Sequence, residues 1–140
     1  MALVTGAARR LGRAIATELV AQGWDIALHH RLSADEAQEA AAQWRAAGAR
    51  VAVLAADLAD EAACRGLVPQ AVQALGRLDA VVNNASLFDY DGALSTSMAS
   101  MERHWRVNTA APVVLAQALA QHLAGSPRRG CVVNLLDQKL

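Results

Sequence analysis

The stretch ALVTGAARRLG, residues 2–12, decides how the chain is read. A short apolar run passes into Thr5-Gly6, and a second glycine, Gly12, follows six residues later. An apolar run of this kind, followed by a helical pattern, reads as a buried strand turning into a helix. At a helix N-terminus the free backbone amides and the macrodipole both favour an anion. Gly6 permits the turn and Gly12 lets the helix pack close to the sheet, so the spacing predicts a pyrophosphate-binding first turn. Arg9 and Arg10 stand in the middle of it, where glycine would give room. Arginine at a helix start opposes the macrodipole, which points to a local anion; two surface arginines are the plain alternative.

The pattern continues along the chain. Short, nearly continuous apolar runs at 2–4, 25–30, 50–56, 78–85 and 131–136 read as strands buried on both faces. Helical patterns separate them. One runs over 11–22 and stops at Gly23; a second opens on a capping box, Ser33 to Glu36, and ends near Gly48. A third covers 60–75 with Gly76 closing it, and a fourth covers 97–123, with Pro112 predicting a kink near Asn108. The alternation specifies an α/β fold: a Rossmann-type doubly wound parallel sheet of five strands in the order 3-2-1-4-5. Residues 1–140 are expected to form a single dinucleotide-binding domain, incomplete at its C-terminus. The irregular stretch 87–97 follows a strand's carboxyl end, where ligands bind in such sheets.

Composition narrows the class. The 140 residues are 54% apolar and 19% charged with zero net charge, so no basic face for nucleic acid or a membrane is implied. Cys64 and Cys131 lack metal-site spacing and read as two reduced, buried thiols of a cytoplasmic protein. No metal site is expected, and neither a membrane span nor a signal peptide is visible.

The end of the second strand speaks to the cofactor. An NAD-binding fold places a carboxylate there for the ribose 2′-hydroxyl. This chain reads LHHRLS, with His29, His30, Arg31 and Ser33, and no carboxylate until Asp35. A cationic, hydroxyl-bearing cluster suits the 2′-phosphate of NADPH; a solvated loop is the alternative.

Together these residues resemble the short-chain dehydrogenase/reductase family. The matching motifs are Thr5-Gly6…Gly12, Asp57-Leu58, Asn83-Asn84-Ala85-Ser86 and Val107-Asn108. Three departures resemble the pteridine reductases within that family: Arg10 in place of a glycine, Ser86 with Phe88 after it, and Asp137 where a catalytic serine is usual. The resemblance implies an NADPH-dependent oxidoreductase. Gly6, Arg9, Arg10, Leu11, Gly12, His30, Arg31 and Ser33 would hold the phosphates, with Arg9 toward the adenosine side. Asp57 would accept from the adenine amino group, with Leu58 beside the ring, while Asn83, Ala85 and Ser86 would line the ribose and phosphate. Arg10, Ser86 and Phe88 would bind a pterin-like substrate, Phe88 by stacking; core filler is the alternative for this single Phe of the chain. Asp137 and Asn108 would serve catalysis, Asn108 by holding a water of a proton relay or by opening the helix locally.

Members of the family deliver the proton from a Tyr-x-x-x-Lys pair on one helical face. Here Tyr90 and Lys139 cannot form it. The chain is therefore expected to be the N-terminal part of a longer homo-oligomeric enzyme, dimer or tetramer. It would lack the C-terminal strands and the proton donor and be inactive alone. The fourth helix, lacking its partner, is expected to expose Val113, Val114 and Leu119. The leading reading is reduction of a dihydropterin or dihydrofolate. The rivals are a carbonyl reductase of the same family, acting on a sugar or 3-oxoacyl substrate, and a non-catalytic nucleotide-binding fragment.

Overall fold

The computed structural model describes residues 1–90, 92 and 94–136. Five parallel strands, β1 (Ala2–Val4), β2 (Ile26–His30), β3 (Val51–Ala55), β4 (Ala80–Asn83) and β5 (Cys131–Asn134), form one sheet in the order β3-β2-β1-β4-β5. This is the expected order. Val4, the last residue of β1, pairs with both Leu28 and Val82, so the carboxyl ends of the central strands lie side by side.

Helices cover both faces, as a parallel sheet requires. Alternate residues of β1 to β4 supply two cores. Leu3, Ala27 and Val81 pack under α3 (Glu61–Leu75) and α5 (Ala111–Leu123). Val4, Ile26, Leu28 and Val82 pack under α1 (Arg10–Ala21) and α2 (Ala34–Ala46), where Ala16, Ala37, Ala40 and Ala41 allow close approach. Asp60 caps α3, accepting from the amides of Ala62 and Ala63, and Gly76 ends it at φ +89°. Among the described residues, no helix is long and apolar enough to cross a membrane.

Four local expectations need correction. Ser33 is the N-cap of α2, but its side chain makes no capping bond. Glu36 does not complete a capping box; it accepts from Arg9. The fourth helix is not one kinked helix but α4 (Met98–Trp105), a π turn (Arg106–Ala110) and α5. Pro112 has no amide for the carbonyl of Asn108, and the wider turn accommodates its ring. Strand β5 is exposed along its whole length, so Cys131 is an exposed thiol. Cys64 is buried as expected, and burial pushes its thiol up to about 11. Lastly, Val113 is exposed and Val114 half-buried, but Leu119 is buried in the core it shares with α3.

Candidate cofactor and substrate site

The site forms where the turn after β1 meets the segments after β2, β3 and β4. Thr5 ties two of them together. Its buried hydroxyl accepts from the amides of Asn84 and Ala85, both at 2.9 Å, and donates to the Val82 carbonyl at 3.3 Å. The Asn84 amide nitrogen donates to the carbonyls of Thr5, at 2.8 Å, and Gly6, at 3.4 Å. Thr5 and Asn84 were not among the expected site residues. The available signal was a hydroxyl that both donates and accepts, opposite an amide side chain, at the adjacent ends of neighbouring strands.

Gly6 adopts φ +65°, and a Cβ on Gly12 would lie 2.4 Å from the Gly6 carbonyl oxygen. Both glycines therefore do what the sequence asked of them. Arg10 is the surprise. It has φ +50°, the left-handed region that side chains avoid, in the position of the family's usual glycine. Its two neighbouring cations are engaged: Arg9 pairs with Glu36, and Arg13 with Glu39 at 3.0 Å. Arg10 is exposed and pairs with no described residue; Leu11 beside it is also exposed.

The end of β2 separates into two roles. His29 is 2% exposed and bridges backbone groups, so it does not belong to a cationic cluster. His30 is buried on the opposite face with its Nδ1 unpartnered, and Arg31 is exposed and unpaired with any described residue. After β3, one oxygen of exposed Asp57 accepts from the Ala59 amide at 2.9 Å. The Leu58 side chain lies in the core under α3.

After β4, Asn83 donates to Asn134 Oδ1 at 2.8 Å, Ala85 is half-buried and Ser86 exposed. Phe88 is 66% exposed, edge-on to Tyr90 at 4.9 Å, which excludes the core-filler alternative. Asn108, in the π turn, clamps the loop. Its Oδ1 accepts from the Leu87 amide at 2.8 Å, and its Nδ2 donates to the Leu87 carbonyl at 2.9 Å. Of the two roles expected for Asn108, the local helix opening is present, and its side chain is spent on the loop. Asp89 is held as well: its amide donates to His104 Nε2 at 3.3 Å and its carboxylate pairs with Arg103. Asp137 lies outside the described residues.

Asn108→Ala is expected to leave the Leu87 amide and carbonyl to water, costing about 1 kcal/mol. Hydrogen exchange at the Leu87 amide should speed up, while the β1 amides keep their protection. Unchanged exchange at Leu87 would mean that the clamp does not hold the loop.

A parallel sheet with a glycine-bounded turn at the end of its first strand has the architecture of dinucleotide-binding α/β domains. The chain matches the short chain dehydrogenase family over residues 1–136 and belongs to that family. It is 31% identical to an L-rhamnose 1-dehydrogenase (NAD(P)(+)) of Sphingomonas sp., over 94% of this chain and 52% of that protein. FolM alternative dihydrofolate reductase 1 from Brucella suis, solved in complex with NADP, superposes with a TM-score of 0.91 at 39% identity, covering 98% of this chain and 56% of that one. A short chain dehydrogenase from Burkholderia cenocepacia J2315, also with NADP, superposes at 0.88 and 38% identity, covering 95% and 53%. The chain spans about half the length of the curated relatives it matches.

Proposed function

We propose that this chain is the cofactor-binding part of a cytoplasmic, NADPH-dependent oxidoreductase that reduces a dihydropterin or dihydrofolate. The observation that carries the reading is Arg10, a strained, exposed cation without a described partner in the phosphate turn. A side chain is held at positive φ when something returns the cost, and an anion at that turn does so. The unpartnered buried His30 Nδ1, the unpaired Arg31 and the uncapped Ser33 fit a phosphate at the end of β2. The NADP complexes of the similar FolM and Burkholderia proteins support the same cofactor.

The bound cofactor would supply a hydride; the chain's own residues bind and orient. Gly6, Arg10, Leu11 and Gly12 would cradle the pyrophosphate, with Arg9 toward the adenosine side. Asp57 has a carboxylate oxygen left for the adenine amino group, and Leu58 would contribute from beneath. Asn83, Ala85 and Ser86 would line the ribose. Exposed Phe88 would stack on a flat heteroaromatic ring opposite the nicotinamide, with Arg10 and Ser86 at its edge. Asp137 would complete the catalytic set, and Asn108 would serve it by opening the helix and holding the Leu87 loop. Met101, Trp105 and Val113, exposed on α4 and α5, fit a homo-oligomer contact in the whole enzyme.

A second reading, a sugar dehydrogenase, is favoured by likeness to the L-rhamnose enzyme and to a sorbitol dehydrogenase of Cereibacter sphaeroides, 30% identical. Assaying the full natural enzyme with dihydrobiopterin and with L-rhamnose separates the two. Pterin turnover at rates above those with the sugar supports the first reading, and the reverse supports the second. NADPH should bind at least about tenfold more tightly than NADH, since a charge-assisted phosphate contact contributes about 1.5–3 kcal/mol. Equal affinities in a fluorescence titration would refute the 2′-phosphate site.

A further inference from the structure

His29 holds the phosphate turn from two sides. Its carbonyl accepts from the Ala7 amide at 3.0 Å, and its side-chain Nδ1 accepts from the Gly6 amide at 3.2 Å. Across the ring, Nε2 lies 3.1 Å from the carbonyl oxygen of Ala56, the residue before Asp57. A backbone amide can only donate and a carbonyl can only accept. The ring must therefore be neutral, with Nδ1 bare and the hydrogen on Nε2. Burial pushes the His29 pKa below its ordinary value; of the neighbouring charges, His30 on the same strand also lowers it and Asp57 after β3 raises it. The two turn residues bonded to His29, Gly6 and Ala7, carry no charge.

We infer that His29, as the neutral Nε2–H tautomer, is a positioning residue that sets the distance between the phosphate turn and the adenine-facing carboxylate of Asp57. The inference rests on the dinucleotide-binding reading above. One rigid ring spans from the end of β1 to the end of β3 and fixes both ends of the nucleotide's path. Protonation would turn Nδ1 into a second donor facing the Gly6 amide, and the turn would have to shift. The sign follows from linkage: the native state binds the proton less readily than the unfolded chain. The His29 contribution is fully present above the unfolded pKa near 6.5 and is lost as pH falls toward the lower native value.

Two measurements on the full natural chain test this. Nitrogen-15 spectra of the ligand-free protein should show His29 with a bare Nδ1 and a protonated Nε2, and the Gly6 amide should shift only when the pH falls below the ordinary histidine range. Calorimetric titration with NADP⁺ between pH 5.5 and 8 then compares wild type with His29→Leu and His29→Gln. His29→Leu should bind about tenfold more weakly at pH 7.5, the worth of one buried bond. His29→Gln can still accept from Gly6 and donate to Ala56, so it should recover most of that loss, and it should do so without the extra acid-side weakening. The cofactor phosphate's own titration is common to both proteins and cancels in their ratio. If His29→Leu does not fold, the Gln variant and the spectra still decide. The opposite tautomer, or a Gln variant with the wild-type pH profile, would overturn the inference. Absence of NADP⁺ binding by wild type would instead sink the cofactor reading, while the ligand-free spectra still decide the bridge.

Discussion

Gly12→Ala is expected to weaken the fold severely under conditions where Gly66→Ala strengthens it. The two glycines both lie in helices, and the difference is what a Cβ would meet. At Gly12 it would lie 2.4 Å from the Gly6 carbonyl oxygen, 2.5 Å from Asn84 Nδ2 and 2.9 Å from the Gly6 carbonyl carbon. Two of these are backbone atoms of the turn, and the third is the side chain that holds the turn to β4. None can retreat without breaking the Asn84 bonds to Thr5 and Gly6. Forced separation of packed backbone, with loss of those bonds, should cost about 3–5 kcal/mol. That is a large part of the roughly 5–15 kcal/mol that holds an ordinary domain together. At Gly66 the sole neighbour is the end of the flexible Gln70 side chain, 3.1 Å away. There the methyl group should add about 0.5–1 kcal/mol by lowering the chain's unfolded-state entropy. Urea denaturation of both variants checks the pair. Equal stabilities would mean that α1 does not dock on the turn as closely as described.

The legible features were those that repeat or that depend on bulk. The run-and-helix alternation predicts the sheet order, because parallel strands need crossovers of one hand and leave few arrangements open. Gly6 and Gly12 announce the turn because few other residues fit there. The illegible features are single polar contacts made across the fold. Ser33 with Glu36 has the composition of a capping box, yet Arg9, 27 residues earlier, takes the glutamate. His29 and His30 are neighbours of one type in sequence, but strand alternation sends them to opposite faces, one into a backbone bridge and one to an unpartnered position. Pro112 signals an irregularity, but not that a π turn would answer it, nor that Asn108 in that turn would hold Leu87. Strand β5 has the apolar composition of a buried strand, but burial depends on what covers it, and nothing within the strand encodes that.

Arg10→Gly is expected to make the protein more stable and worse at binding its cofactor. The two effects have separate causes. At φ +50° a side chain costs about 1–2 kcal/mol that glycine does not. A cation in the first turn of α1 adds an unfavourable interaction with the macrodipole, about 0.3–1 kcal/mol when exposed. Glycine gives part of this back through its greater freedom in the unfolded chain, so a net gain of about 1 kcal/mol remains. Against that, the guanidinium is the unpaired charge of the turn, since Arg9 and Arg13 are held by Glu36 and Glu39. Removing its contact with a phosphate should weaken NADPH by at least about tenfold, the lower end of a charge-assisted bond's worth. Arg10→Lys separates the causes: it keeps the charge and the strain, so stability should stay near wild type and affinity should fall less than with glycine. Thermal melting without ligand, paired with NADPH titration of the same samples, reads both quantities. A glycine variant with unchanged affinity would make Arg10 a surface residue and remove the main support for pterin reduction. A glycine variant that melts lower than wild type would show that the left-handed backbone at this position stores no strain.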